Sequence, residues 1–339
     1  MRALGKKVFT EEERELLRKA ASNDLEERKK YQRALAQVLD GAFRGAVLED
    51  DTLNGVFQRV VLEPGVDPRF PLHFLSPGEE EDYVAFVIAK EGAPPQRLIE
   101  GDEVYVPTYT ISNSIDIARK YVRDARWDVV ADAMDVLKYG FTRKLNDDGW
   151  HTIISAAVEN GRVVDSSAAA GTFTKKLLTG MMTAIKRFPG GRRSKLTDLF
   201  LSPEALADIR NWSQAEVDDI TRHEIFRGEG LAGLPTIFGV RLHELQELGE
   251  GQRFQTYIES TDGPNKASWF VAGGDTDKEF CIGLDASDWA LRTRKFVVRE
   301  DLQLYEDDTL LRSNRVGWFG FMEIGFAVLD NRFLVIGTF

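Results

Sequence analysis

The chain has 339 residues, a net charge of −11 and 43% hydrophobic residues, enough for one large domain or two interleaved ones. Charged residues at 29% and aromatics at 10% describe a folded protein and exclude wholesale disorder. The acidic balance argues against nucleic acid as the main surface partner, because phosphate binding needs a concentrated basic face. An acidic wall that encloses a polyanion and leaves it mobile is a different requirement, and the composition allows it.

Met1 to Lys7 leads into charged sequence rather than an apolar core, so no signal peptide is expected. A helix is expected from Thr10 to about Leu39, with Thr10 as N-cap and Glu13 at the capping-box position. Its apolar residues (Leu16, Leu17, Ala20, Leu35, Val38 and Leu39) are sparse among charges, so it reads as an arm or surface helix. From Gly55 to Pro107 the period changes. Val56–Leu62 and Tyr83–Ile88 read as strands, Glu103–Val106 as a third, and the Pro- and Gly-rich stretch between the first two as a long irregular connection. A connection of that length is uncommon unless it serves a function or is ordered by something it touches, and its apolar tip, Phe70, Leu72, Phe74 and Leu75, favours the second over a loop folded back on its own core.

The clearest helix starts near Ala125. Trp127, Val130, Met134, Leu137, Phe141 and Leu145 recur at steps of three and four. Asn146-Asp147-Asp148-Gly149 is a candidate interruption, after which Trp150, Ile153, Ile154 and Ala157 resume the stripe, giving one long helix or a helix pair. Thirty such residues span roughly 45 Å. Thr174–Phe188 reads as helix, Leu199–Leu201 as strand, and Ser202-Pro203-Glu204 as a capped helix start. Strands are expected at Pro235–Leu242, Arg253–Ile258, Ser268–Val271, Glu279–Ile282 and Leu291–Arg299, with two more near the C-terminus. The whole is a mixed α+β chain.

Chemistry is hard to place on it. The histidines His73, His151, His223 and His243 have neither metal-site spacing nor a nearby cysteine, so no metal site is expected. Cys281 lies in the apolar run Phe280-Cys281-Ile282 and reads as a small buried residue. Asp132 with Asp135, and Asp147 with Asp148, are helix neighbours among dense charges and read as solvated. Gly228–Gly233 satisfies G-x-G-x-x-G, but a strand pattern follows where a helix is required. Pro189–Lys195 lacks the G-K-[ST] ending, and its three basic residues read as a solvated loop. Val316–Phe339, broken by Glu323, Asp330 and Arg332, is too interrupted for a membrane span. No catalytic residue, cofactor or metal ligand is assigned.

The order of these parts resembles the major capsid proteins of tailed bacteriophages, the Hong Kong 97 fold. The likeness is carried by Ala290-Leu291-Arg292-Thr293-Arg294-Lys295-Phe296-Val297-Val298-Arg299-Glu300-Asp301, then by Val316–Leu329, Asp330-Asn331-Arg332 and the closing Val335–Phe339. Leu199–Ala205 followed by Gly233–Val240 is similar to the family's axial domain. The resemblance implies an N-terminal arm (1–54) and an extended loop (55–107). It also implies a peripheral domain with a long spine helix (108–171 and 290–326) and an axial domain (172–289 and 327–339).

The implied function is assembly into pentamers and hexamers of an icosahedral head shell, located in the virion and built in the host cytoplasm. The shell encloses double-stranded DNA without sequence-specific binding, beside a portal, a scaffold and a decoration protein as partners, with no membrane. The extended-loop tip, Arg69, Phe70, Leu72, His73, Phe74 and Leu75, becomes the implied inter-subunit contact. No lysine lies between Lys30 and Lys90, so the loop tip lacks the nucleophile with which some members cross-link, and non-covalent contacts or a separate decoration protein are expected to hold the shell. No cleaved N-terminal scaffolding segment is expected. The rivals are an encapsulin-type compartment, told apart by its protein cargo, and a cytoplasmic enzyme with an unrecognised carboxylate site.

Overall fold

The structure is a computed structural model. It describes residues 52–63, 65–72, 103–124, 127–165, 171–187, 194–212, 236–249, 251–254, 279–307, 310 and 313–339, with scattered positions between 15 and 36. The expected strands at Tyr83–Ile88 and Ser268–Val271, and the G-x-G-x-x-G run, lie outside these residues, as does most of Arg253–Ile258.

In chain order, β1 (Gln58–Val61), β2 (Arg69–Pro71), β3 (Glu103–Tyr105) and β4 (Tyr109–Ala118) lead through α1 (Arg119–Arg123) into α2 (Trp127–Glu159). Then come β5 (Val163–Asp165), α3 (Lys175–Arg187), β6 (Asp198–Leu201), α4 (Pro203–Asn211), β7 (Thr236–Ile237) and β8 (Val240–Glu244). The chain ends with β9 (Phe280–Leu284), α5 (Asp288–Leu291), β10 (Arg294–Glu306), β11 (Arg315–Val328) and β12 (Leu334–Thr338). A four-stranded sheet has the order β1-β10-β11-β4, a six-stranded sheet the order β5-β12-β9-β6-β8-β7, and β2 pairs with β3 apart from both. By pairing, β1 belongs with the four-stranded sheet rather than with the loop, and β5 with the six-stranded one.

The long β10–β11 hairpin is the centre of the first sheet, running from Arg294↔Val328 to Glu306↔Trp318 with two register shifts. Alternation on β11 turns Val316, Trp318, Met322 and Ile324 to the core, where Ile111 and Ile117 of β4 join them. The helix α2 lies on that face. Gly320 lets it approach, since a Cβ there would stand 3.1 Å from Phe141 Cζ. Val130, Met134, Leu137, Phe141 and Leu145 bury the first half of the expected stripe, and Trp150, Ile153, Ile154 and Ala157 the second. The second half reaches the other sheet, where Trp150 meets Phe200 edge-on at 4.6 Å. At 33 residues, α2 is roughly 50 Å long and spans both sheets.

Of the two readings, the structure has the single long helix, unbroken at Asn146–Gly149. Each residue of that run has a distant partner instead. Asn146 Oδ1 accepts the Thr52 amide at 3.3 Å, and Asp147 pairs with Arg253. Asp148 accepts from Tyr109 Oη at 2.6 Å and from Lys144 Nζ at 2.8 Å. Gly149 leaves room for Leu53, which is buried against it. Trp150 Nε1 then donates to Thr52 Oγ1 at 3.0 Å, so residues 52–57 form a strap pinned across the helix.

On the six-stranded sheet, α3 buries Leu177, Leu178, Met181 and Ile185. Gly337 permits the close approach, because a Cβ there would stand 2.9 Å from Cys281 Sγ and 3.3 Å from Met181 Cε. Cys281 is buried as expected, and burial pushes its thiol far above the usual range. Ser202 caps α4, its hydroxyl accepting from the Ala205 amide at 3.1 Å and donating to Glu279 at 3.0 Å. The run expected as one strand at Pro235–Leu242 is a tight hairpin. Phe238 (φ 52°) and Gly239 (φ 79°) make the turn between β7 and β8, the paired positive φ values that a right-twisted two-residue hairpin requires.

The N-terminal helix also departs from expectation. The chain bends at Asp24, whose carboxylate accepts the Glu26 amide at 3.1 Å. Lys19 lies over the Tyr31 ring at 5.3 Å, whereas twelve residues of straight helix would separate them by about 18 Å.

Candidate functional site

The candidate contact residues divide at the limit of the described chain. Arg69 and Phe70 lie on β2, Leu72 follows it half-buried, and His73, Phe74 and Leu75 fall outside the described residues. What the structure describes is the root of the extended loop. Phe70 sits opposite Val104 in the β2–β3 ladder, and the Val106 amide donates to Pro68 O at 2.9 Å. Val106 is fully buried and packs at Gly325, where a Cβ would stand 3.2 Å from Val106 Cγ1. The root is thereby fixed to the middle of β11. From β10, Lys295 lies over the Phe70 ring at 5.4 Å and donates to Gln58 Oε1 at 2.5 Å. Burial, then the Arg292 charge, holds the Lys295 ammonium below its ordinary value. Arg69 pairs with Asp67 at 3.6 Å in the open.

Apolar side chains ring this root. Val61 is 62% exposed, Tyr105 54% and Val66 46% in the single chain. Exposed apolar groups gathered at one place mark a contact surface better than scattered ones do. Sequence reading missed these three. Their signal was the two-residue alternation of β1 and β3, which assigns Val61 and Tyr105 to an outward face once Val60 and Val104 point inward.

The carboxylates behave as structure. Asp132 and Asp135 are exposed on α2, whereas Asp147 and Asp148 are spent on the strap and β4, so the four do not converge on one cleft. Asp198 meets a histidine: His243 Nε2 is 2.7 Å from Oδ1, and Arg241 and Thr197 donate to Oδ2 at 2.6 and 2.7 Å. Burial pushes the Asp198 carboxyl up, but the hydrogen bonds from His243, Arg241 and Thr197 outweigh it and hold the group below its ordinary range. Every oxygen is engaged, and His243 stacks on Phe200 at 4.6 Å, which makes a clip between β6 and β8.

His151 lines a cleft of about 560 Å³ with Tyr109, Lys144 and Asp148. Burial lowers its imidazole to about 4, opposed by Asp148 and helped by Lys144. Among the described residues, no group of three His, Cys, Asp or Glu side chains is placed to hold a metal ion. No described helix is long and apolar enough to cross a membrane.

No protein-family model matches the chain, and no curated protein matches it. Solved structures do. A chain from Microbacterium phage Oxtober96 superimposes with a TM-score of 0.56 at 11% identity, covering 85% of this chain and 90% of that one. A Mycobacterium phage Bobi chain gives 0.52 at 14% identity, covering 86% and 89%. The Cyanophage Pam1 capsid asymmetric unit gives 0.51 at 13% identity, covering 84% and 88%. The chain has the Hong Kong 97-type capsid fold. This is the fold class that the sequence resemblance implied. The fold is shared here at identities where sequence comparison finds nothing, because a backbone arrangement tolerates extensive exchange of the side chains that fill it.

Proposed function

We propose that the chain is the major capsid protein of a tailed bacteriophage, a shell subunit and not an enzyme. It assembles into pentamers and hexamers that close an icosahedral head around double-stranded DNA. The likeness to phage structures over 85% of this chain carries the reading, since it spans both sheets and the helix between them. In this reading the four-stranded sheet with α2 is the peripheral domain, and the six-stranded sheet with α3 and α4 is the axial domain. The extended loop, rooted at Phe70 and Tyr105, lies over a neighbouring subunit and buries Arg69, Phe70, Leu72, His73, Phe74 and Leu75. Residues 1–54 form the arm. Portal, scaffold and decoration proteins complete the head. The sequence has no lysine between Lys30 and Lys90, so the contact at the loop tip is non-covalent.

Negative-stain microscopy and light scattering test the proposal on the protein expressed alone and with its neighbouring genes. Closed icosahedral shells, or rings of five and six, are expected, and shells made with portal and terminase present are expected to hold DNA. Shells filled with an enzyme instead would make the chain a compartment protein. A monomer or dimer under every condition, scaffold included, would refute assembly altogether.

A further inference from the structure

The chain is acidic overall, yet no Asp or Glu occurs from 166 to 197, where seven Lys and Arg residues stand. Most of the described part of that stretch is α3, whose geometry separates two faces. Leu177, Leu178, Met181 and Ile185 face the six-stranded sheet. Lys176, Thr179, Thr183, Lys186 and Arg187 are all exposed. At 100° per residue these five fall within an arc of about 100°, and Lys176 to Arg187 covers about 16 Å along the axis.

Helix stability accounts for only part of the charge, since Lys186 and Arg187 stand in the last turn, where the macrodipole favours cations. Lys175 and Lys176, however, stand in the first turn, which itself holds no acidic residue, the end where the macrodipole disfavours cations. A local choice that opposes its own element points to a use outside it. Nor does the stripe suit a protein partner. It carries no apolar or aromatic anchor, and protein interfaces draw their affinity from such anchors. The Thr179 and Thr183 hydroxyls bond helix carbonyls at 2.8–3.1 Å and serve as small polar spacers between the cations. A polyanion needs only the cations. Sixteen ångströms of duplex present about nine phosphate charges, at one per 1.7 Å.

Resting on the capsid reading, we propose that the exposed face of α3 is the surface on which the shell meets packaged duplex DNA, through Lys176, Lys186 and Arg187 and without regard to sequence. The face of the axial sheet that carries α3 is then the inner wall of the head.

The test is fluorescence anisotropy of a labelled random-sequence duplex with the soluble full-length chain across a salt series. Three phosphate contacts contribute about −2.7 to the slope of log K against log salt, so K176Q/K186Q/R187Q is expected to lose about that much, equally for any sequence. Circular dichroism checks that this variant folds, and K120Q/R123Q on α1 controls for loss of charge elsewhere. An unchanged slope in the triple variant, or an equal loss in the control, would overturn the proposal. So would a wild-type face that ignores duplex but binds a peptide carrying Gly78–Asp82, since its partner would then be the acidic loop of a second copy. Microscopy of the same preparations keeps the two readings apart. Wild-type shells with an unchanged slope refute only the DNA face, whereas absence of shells refutes the capsid reading itself.

Discussion

Replacing Gly149 by alanine sets two effects of known sign against each other. At a free helix position the change stabilises by about 1 kcal/mol. At Gly149 the new Cβ would stand 3.0 Å from Leu53 Cδ2 and 3.1 Å from Leu53 Cγ, with Cδ1 nearer still. Leu53 is 2% exposed, so it can move only by pushing on its neighbours. Overpacking of that kind costs about 1–3 kcal/mol, which cancels or outweighs the helix gain. G149A is therefore expected to leave the protein unchanged or weaken it by up to about 2 kcal/mol. In a Leu53→Ala background, itself weakened by about 2–5 kcal/mol, the obstruction is gone and G149A recovers its full gain. Urea unfolding of the four unassembled proteins measures the coupling, expected at about 1–3 kcal/mol. Additivity, with G149A stabilising by about 1 kcal/mol in both backgrounds, would show that the strap does not lie on α2.

Two further outcomes are expected. Ser202→Ala removes the α4 cap and a donor to Glu279, and thermal unfolding should register a loss of about 1–2 kcal/mol. An equal melting temperature would refute the cap. His151 binds its proton at about 4 in the folded chain and near the ordinary 6.5 in the unfolded one. The unfolded state therefore holds more protons between those values, so stability falls as pH drops from 6.5 toward 4 and levels out below. His151→Gln should flatten that part of the curve, and an imidazole midpoint near 6.5 by NMR titration would contradict it.

The parts of the fold that could be read in the sequence are those whose physics is local. The α2 stripe shows because its apolar steps of three and four lie within one helix, and the Ser202 cap because cap, proline and helix are adjacent. The choice between one helix and two at Asn146–Gly149 was not legible because the partners that satisfy the run are far away, Thr52 by 94 residues and Arg253 by 106. The β7–β8 turn was hidden because Phe-Gly replaces the usual Asn-Gly, leaving an unbroken strand-like run. For the candidate site, Phe70 and Leu72 were legible as apolar residues in a polar loop. The Lys295 side chain that bridges to Gln58 beside them comes from 237 residues on, a register that no local pattern carries.

A ring-forming contact closes only when the rotation from each subunit to the next is right, so an angular error inside the subunit is repeated at every interface. Two sheets joined by apolar burial alone would leave that angle soft, because the hydrophobic effect has no direction. The joint here is directional. Arg294, fully buried at the start of β10, donates from Nε to Val56 O at 2.6 Å and from Nη2 to Asp285 O at 2.9 Å. One guanidinium thus ties the four-stranded sheet to the strap and to the exit of β9 in the six-stranded sheet. Burial lowers its proton affinity to about 10 against the opposing pull of Asp285 and Asp198, so it stays charged at neutral pH. Asp285 is fixed in turn, its oxygens accepting the Lys195 and Ser287 amides at 3.0 Å each. A buried cation is a weak source of stability. Its bonds lie along fixed carbonyl directions, however, and together with those that pin α2 to Thr52 and Tyr109 they hold the inter-sheet angle in a way that apolar burial alone does not.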